Sequence, residues 1–169
     1  MAKKVLMVIA PKNFRDEELF HTKEELEKAG LETKVASKTS EEATGMMGKT
    51  IKPDIALDDV VAEDFDAIVF VGGSGASVYF DDTLAMDLAR TFFQQGKVVA
   101  AICIAPSILA NAGVLKDKVA TAWSSEQGNL EEKGATYSGE AVTVDGKIIT
   151  ASGPKAAREF GKKIAEALK

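Results

Sequence analysis

The sequence predicts an α/β fold, a three-layer α/β/α sandwich around a mostly parallel, flavodoxin-like central sheet. Short runs of apolar and β-branched residues recur along the chain, as is typical of strands that are buried on both faces. Segments with apolar residues at helical spacing separate these runs. Strands that alternate with helices build parallel sheets with right-handed crossovers, and we expect one domain that spans residues 1–169.

The first half of the chain contains three predicted strands and two predicted helices. The helix signals are acidic residues in a first turn and a glycine after a last turn, and the strand signals are short apolar runs. In chain order these elements are a strand at Lys4–Ile9, a helix from Arg15 or Asp16 to Ala29, strands at Glu32–Ser37 and Phe65–Val71, and a helix at Thr83–Gln95. Between residues 39 and 60 the signal is weaker, and we expect a small hairpin or an extended excursion around Lys49–Ala56.

The second half begins with Val98–Cys103, an apolar run typical of a buried central strand. A helix follows it, because Pro106 suits a first helical turn and Gly113 suits the position after the last turn. The remaining predicted elements are a strand at Val119–Ala122, a helix at Ser125–Lys133, an extended segment at Ala135–Tyr137, a hairpin at Val142–Thr150 about Asp145-Gly146, and a closing helix at Pro154–Leu168.

Cys103, the only cysteine in the sequence, stands at the predicted strand-to-helix turn. Ala101 and Ala105 lie two residues to either side of it, at the positions where the nucleophile elbow of serine hydrolases has glycines. Backbone N–H groups and the helix dipole at such a turn favour a negative charge, which lowers a thiol pKa toward the reactive thiolate. The alternative is a structural cysteine that packs as a small hydrophobic side chain.

Composition excludes several classes of function. The net charge is −5 and no basic stripe or aromatic ladder is present, so we expect no nucleic-acid partner. No segment approaches the ~20 apolar residues that a membrane-spanning helix needs. One histidine and one cysteine cannot build a structural zinc site, and we expect neither a metal nor another cofactor. A single cysteine allows no internal disulfide, which fits a cytoplasmic location.

Three loops should converge beyond the carboxyl ends of the predicted parallel strands, where ligands bind in sheets of this kind. They are Ala10–Glu18, Gly72–Ser77 and Cys103–Pro106. The glycine-rich loop could also be a phosphate loop, but it has no Walker lysine and no helix is predicted directly after it.

Taken in this order, the motifs resemble those of the ThiJ/PfpI family, which includes the PfpI-type intracellular peptidases and the Parkinsonism-associated deglycase. The family has a glutamine-amidotransferase-like fold. The motifs that carry the resemblance are KVLMVIA, EELEKAG, DAIVFVGG, AICIAPSILANAGVL and VTVDGKIITASGP.

The resemblance implies roles for four residues. Cys103 matches the family's nucleophile, and Glu18 matches the glutamate that lies against the nucleophilic sulfur. The backbone N–H groups of Gly73 and Ile104 match the donors of the oxyanion hole. A protonated Glu18 could donate a hydrogen bond to a thiolate or a sulfinate, and this role requires a raised pKa for its carboxyl group. The adjacent Glu17 is expected to be a solvated first-turn carboxylate.

Further residues are candidates for the wall of the pocket: Gly72, His21, Ala105 and Trp123. The sequence also departs from the peptidases of the family, which have a histidine where this chain has Ile104. They also take a glutamate from a neighbouring subunit, at the position of Ser77 here. His21 is expected to be a surface or interface residue rather than a replacement base. Without a histidine the logic of a catalytic triad fails, so a peptidase is disfavoured.

We therefore expect a cysteine-dependent stress-response protein and favour an enzyme that acts on small reactive carbonyls, with glyoxalase-like or deglycase-like chemistry. One alternative is a peroxide-sensing or chaperone-like protein without turnover, and a second is a cysteine peptidase or amidase. The expected partners are a small electrophile or peroxide and a second copy of the chain, in a homodimer or a higher oligomer.

Overall fold

The computed structural model describes residues 2–169. Its twelve strands are β1 Lys4–Val8, β2 Lys12–Phe14, β3 Glu32–Ser37, β4 Ala43–Gly45, β5 Thr50–Ile51, β6 Ile55–Ala56, β7 Ala67–Phe70, β8 Val98–Ile102, β9 Val119–Ala120, β10 Thr136–Tyr137, β11 Val142–Asp145 and β12 Ile148–Ala151. Its five α-helices are α1 Asp16–Lys28, α2 Thr83–Gln94, α3 Pro106–Asn111, α4 Gln127–Glu132 and α5 Ala157–Ala167. Five short 3₁₀ helices lie between them, at Leu57–Asp59, Ala62–Asp64, Ser74–Tyr79, Ser124–Glu126 and Pro154–Ala156.

The central sheet has seven strands in the order β11-β12-β8-β7-β1-β3-β6. Every pairing in it is parallel except the β11–β12 hairpin at one edge. The five inner parallel strands, counted along the chain, run 2-1-3-4-5 across the sheet, which is the flavodoxin-like order. This confirms the predicted fold class and the mostly parallel sheet.

Both faces of this sheet are covered, which explains why its strands are continuous apolar runs. In β1, Met7 packs into the core on one face and Leu6 into the core on the other. Helices α1 and α5 cover the first face, where Leu26 and Phe160 are fully buried. Helices α2 and α3 cover the second face, where Phe92 of α2 is fully buried. These are the three layers that the sequence predicts.

The segment with the weak signal differs from the prediction. The hairpin is formed by β4 and β5, so it begins before the expected Lys49–Ala56 segment, and β6 instead joins the edge of the main sheet. The carboxylate of Asp16 accepts hydrogen bonds from the backbone N–H groups of Met47 and Lys49, at 2.8 and 3.0 Å. The first turn of α1 therefore fixes this hairpin from outside, through a tertiary contact that no local pattern contains.

Within residues 2–169, none of the helices is long and apolar enough to cross a membrane.

Candidate active site

Cys103 stands on a sharp turn between β8 and α3, which we call the elbow. Its backbone φ is 66°, a left-handed conformation that residues other than glycine rarely adopt. Hydrogen bonds hold the turn on both sides, since its N–H donates to the carbonyl of Ala151 and its carbonyl accepts from the N–H of Trp123, at 2.9 and 2.8 Å. Ala101 and Ala105 are both fully buried beside it, so small side chains are required there. The predicted strand-to-helix turn is confirmed.

Glu18 lies in the first turn of α1, and its side chain is 0 % exposed. Gly72 brings the loop after β7 against this carboxyl group, and a Cβ atom at Gly72 would collide with both Glu18 and Cys103. Neither carboxyl oxygen makes a well-aligned hydrogen bond to any of residues 2–169. The polar groups that face Glu18 are the Cys103 thiol and the backbone N–H of Gly72. The structure thus brings Glu18 and Cys103 together at the elbow.

Burial changes the acidity of Glu18. Removal from water raises the pKa of its carboxyl group from 4.5 to about 8, against smaller opposing effects of Cys103, Arg15 and Gly72. The carboxyl group is therefore protonated near neutral pH and can act as a hydrogen-bond donor.

The Cys103 thiol differs from the expectation drawn from the helix terminus. Burial, and next the charge of Glu18, raise its pKa from 9.0 to about 12, while the backbone N–H groups of Gly73 and Ile104 lower it. Beside an ionised Glu18 the pKa of the thiol is therefore not lowered, because the sulfur is mostly buried and α3 is only six residues long. The Coulombic part of the rise acts only when Glu18 is ionised, so the value of about 12 does not describe the thiol beside a neutral Glu18, and the two groups titrate as a pair.

Gly73 closes the site from the side of β7. Its φ is 103°, and a Cβ atom there would collide with the backbone of Asn13 and Arg15. Glycine therefore lets the two loops touch and leaves the Gly73 N–H free to donate to the Cys103 sulfur, beside the N–H of Ile104. The 3₁₀ helix Ser74–Tyr79 begins directly after it. This corrects one ground for rejecting a phosphate loop, although the missing lysine still disfavours one.

The elbow opens into a cavity of about 490 Å³. Cys103, Glu18, Gly73 and Ile104 form its reactive end. Its apolar walls are the side chains of Met46, Phe80, Trp123 and Pro154. Its other polar residues are Arg15, Ser74, Ser77, Ser125 and Glu126. A small molecule that enters this cavity would meet the thiol, the carboxyl group and two N–H donors at one end.

Three candidate wall residues need correction. Ala105 is fully buried below the elbow and does not reach the cavity. His21 lines a neighbouring cavity with Glu17 and Arg158, because it lies almost one turn beyond Glu18 and faces α5. Gly72 packs behind Glu18 and Cys103 instead of forming a wall. Trp123 does line the cavity, with 49 % of its surface exposed.

The side chains of Glu17 and Glu18 point in different directions, as the sequence predicts. The Arg15 guanidinium donates to both carboxylate oxygens of Glu17, at 3.0 and 2.9 Å, and holds the pKa of that carboxyl group below its usual range. This pair is partly exposed, whereas Glu18 points inward. Arg15 lines the cavity with its charge already paired.

Five residues of the cavity were not predicted from the sequence: Met46, Phe80, Ser125, Glu126 and Pro154. Ser125 and Glu126 lie two and three residues after Trp123, in the turn that follows it. The prediction that Trp123 lines the pocket could therefore have been extended to this turn. Met46 comes from the hairpin that Asp16 fixes, and no local pattern indicates its position.

None of residues 2–169 forms a group of three or more histidine, cysteine, aspartate and glutamate side chains that could hold a metal ion.

Comparisons with known proteins agree with this geometry. The model of the DJ-1/PfpI family matches residues 3–167. An uncharacterized protein of Methanocaldococcus jannaschii is 44% identical over 98% of this chain and 82% of its own length. The glutathione-independent glyoxalase DJR-1.2 of Caenorhabditis elegans is 31% identical over 98% of this chain and 89% of its own length. The deglycase PfpI of Pyrococcus furiosus is 32% identical over 88% of this chain and 90% of its own length.

Solved structures show the same likeness. A ThiJ/PfpI domain protein of Brachyspira murdochii superposes with a TM-score of 0.96 at 35% identity, over 99% of this chain and 96% of that one. DJ-1beta of Drosophila melanogaster superposes with a TM-score of 0.91 at 35% identity, over 99% of this chain and 91% of that one.

Proposed function

Because the chain belongs to the DJ-1/PfpI family, we propose that it is an enzyme that acts on small reactive carbonyl compounds through the thiolate of Cys103. Several relatives bear the names deglycase or glyoxalase, which supports this general class of activity. The observation that carries the proposal is the burial of Glu18 against Cys103, with its pKa raised to about 8.

The proton arrangement of the pair follows from the hydrogen-bond donors around each group. Two backbone N–H groups, of Gly73 and Ile104, point at the sulfur, whereas Glu18 faces the single N–H of Gly72. Two N–H groups at the sulfur against one at the carboxyl group favour a negative charge on sulfur, although the positive charge of Arg15 lowers the pKa of Glu18. We infer that the first proton leaves Cys103 and that Glu18 keeps its own proton and donates it to the thiolate.

The proposed reaction begins when the thiolate attacks the aldehyde carbon of a 2-oxoaldehyde. A carbon–sulfur bond forms and the π electron pair moves to oxygen, where the Gly73 and Ile104 N–H groups stabilise the oxyanion. Glu18 gives its proton to that oxygen and becomes the base that moves the proton of the former aldehyde carbon to the neighbouring carbon. The hydroxyl proton of the adduct passes to the former ketone oxygen, so that the first carbon becomes a thioester carbonyl and the second carries a hydroxyl group. Water then hydrolyses the resulting thioester, releasing a 2-hydroxy acid and the free thiol.

The test is the consumption of methylglyoxal by wild type, Cys103→Ser and Glu18→Gln. We expect wild type to consume it, Cys103→Ser to show only the uncatalysed rate, and Glu18→Gln to lose at least about a hundredfold in kcat/KM, the lower range for an acid–base group. Equal consumption by wild type and Cys103→Ser would rule out this function.

A second function, peroxide sensing without turnover, is favoured by the same donors. Peroxide would oxidise the thiolate to a sulfenic and then to a sulfinic acid, whose oxygens could accept from Glu18 and the two N–H groups. Intact mass after mild peroxide treatment tests it, since the gain of two oxygens should be confined to Cys103. Oxidation of methionines without that gain argues against a sensor.

A peptidase is disfavoured, because Ile104 occupies the position of the family's histidine and His21 lines a different cavity. Casein hydrolysis that Cys103→Ala abolishes would reverse this conclusion. The homodimer and the cytoplasmic location stay predictions, and the molar mass in solution checks the first.

A further inference from the structure

Glu126 is a second carboxylate of the cavity, and the proposed reaction does not use it. It ends the 3₁₀ helix Ser124–Glu126, and both of its oxygens accept hydrogen bonds. Ser107 Oγ donates to Oε1 at 2.6 Å, and Ser125 Oγ donates to Oε2 at 2.7 Å. A glutamate that is held on both oxygens presents a charge at a fixed position instead of moving freely in solvent.

The position of the Glu126 carboxylate is fixed by a contact with α3, the helix that follows the elbow. Ser107 is fully buried, four residues after Cys103. Its Oγ accepts from Asn129 Nδ2 at 3.1 Å, so its own proton is directed at Glu126. Asn129 is held in turn by Asn111, also at 3.1 Å. The same helix therefore supports the nucleophile and the carboxylate.

The cavity offers this carboxylate no free positive charge. Among the residues described, Arg15 is the one cationic side chain that lines the cavity, and Glu17 already neutralises it. The indole ring of Trp123, three residues before Glu126, lies against Gly153 and is 49 % exposed. A fixed carboxylate and an exposed indole face both attract cations.

We propose that Glu126 determines the charge specificity of the site, which accepts neutral and cationic carbonyl compounds and rejects anionic ones such as 2-oxoaldehydes that carry a carboxylate. The selectivity for substrates rests on the proposed function. The effect of the Glu126 charge on the electrostatic field at Cys103 is independent of that function. Glu18, the other unpaired carboxyl group that lines the cavity, strengthens the rejection of anions whenever it ionises.

The first test uses two reagents that differ in charge, the trimethylammonioethyl and the sulfonatoethyl methanethiosulfonates. In each case the thiolate forms a mixed disulfide and displaces methanesulfinate, so no added oxidant or reductant is needed. The chain has a single cysteine, so every adduct reports Cys103. The quantity measured is the ratio of the rate constant for the cationic reagent to that for the anionic reagent.

We expect this ratio to fall about tenfold in Glu126→Gln, from the loss of one unit charge in the cavity. Glu126→Asp keeps the charge and should stay near the wild-type ratio. Glu132→Gln, on α4 and outside the cavity, makes the same charge change and should leave the ratio unchanged. An unchanged ratio in Glu126→Gln, or an equal fall in Glu132→Gln, overturns the proposal.

The second test compares kcat/KM for 4,5-dioxopentanoate, an anionic 2-oxoaldehyde, with that for methylglyoxal, which is neutral. Glu126→Gln should raise the ratio of the anionic to the neutral substrate about tenfold, and Glu132→Gln should not change it. Turnover of methylglyoxal with no such rise overturns the substrate selectivity. If wild type turns over neither compound, the proposed function fails, and the reagent ratio alone decides whether Glu126 controls the charge selectivity of Cys103.

Discussion

At the scale of single residues, the site depends on how two buried acids share their protons. Glu18 is buried away from water, and no aligned hydrogen bond offsets this, so its pKa rises to about 8. The Cys103 sulfur is also buried, but two backbone N–H groups point at it. The neutral carboxyl group and the backbone donors can therefore stabilise a thiolate together, while either acid alone would resist ionisation.

The raised pKa of Glu18 makes a prediction about stability. The unfolded state releases this proton above pH 4.5, whereas the folded Glu18–Cys103 pair keeps both of its protons until close to pH 8. Folding therefore loses about 1.4 kcal/mol per pH unit between these values, and none below them. Glu18→Gln cannot ionise, so its free energy of unfolding relative to wild type should rise across this window. Urea unfolding at several pH values measures it, and a difference independent of pH would contradict a buried, protonated Glu18.

The sequence predicted the residues of the elbow because their signals are local: a lone cysteine, small neighbours and a glycine pair after a strand. It predicted Glu18 over Glu17 from the spacing to the end of α1 and the family resemblance. It did not predict Met46, since that residue reaches the cavity through the bond from Asp16 to a distant hairpin. The hydrogen bonds that fix Glu126 also join separate elements, so the spacing of residues along the sequence does not predict them.

At the scale of elements, α1 connects the site to the core through its contact with α5. The two helices cross at Gly161, where a Cβ atom would lie 2.9 Å from the Glu25 Cβ and 3.0 Å from the Thr22 carbonyl oxygen. Arg158 joins the helices nearby, donating to Glu25 at 2.8 Å. A shift of α1 at this crossing would also move Glu18, which lies on the same helix.

This crossing predicts opposite effects of one substitution in two helices. Gly161→Ala should destabilise the protein by roughly 1–3 kcal/mol, because the collision exceeds the gain in helix propensity. Gly128→Ala in α4 has no atom within 4 Å of the new Cβ and should stabilise it by up to ~1 kcal/mol. Denaturant unfolding measures both values. Equal effects at the two sites would mean that α1 and α5 do not approach so closely.

The strands were predictable because each inner strand is buried on both faces and therefore apolar throughout. The hairpin β11–β12 was predictable from its turn, where Gly146 has a φ of 61°. The β4–β5 hairpin was misplaced because its strands are two or three residues long and contacts with α1 fix them.

At the scale of the whole molecule, one sheet separates two cores and joins them. Each strand in the middle of the sheet contributes side chains to both, as Val99 and Ala100 do in β8. Neither core can be lost while the sheet keeps its strands, so we expect a single cooperative unfolding unit over the chain.

The expectation of a single unfolding unit is tested by comparing two unfolding transitions that report different parts of the molecule. The fluorescence of Trp123, the only tryptophan, reports the cavity, and far-ultraviolet circular dichroism reports the helices and the sheet. Both signals should give the same midpoint and slope in guanidinium chloride. An earlier transition at Trp123 would show that the site unfolds separately from the sheet.

In the proposed mechanism the first proton of the Glu18–Cys103 pair leaves the sulfur, and the pH dependence of Cys103 alkylation by iodoacetamide measures this ionisation. We expect the rate to reach a plateau with a midpoint no higher than about pH 8, and we expect Glu18→Gln to shift this midpoint. A rate that keeps rising about tenfold per pH unit toward pH 12 would contradict it. The carboxyl group would then ionise first, and Cys103 would carry no thiolate near neutral pH.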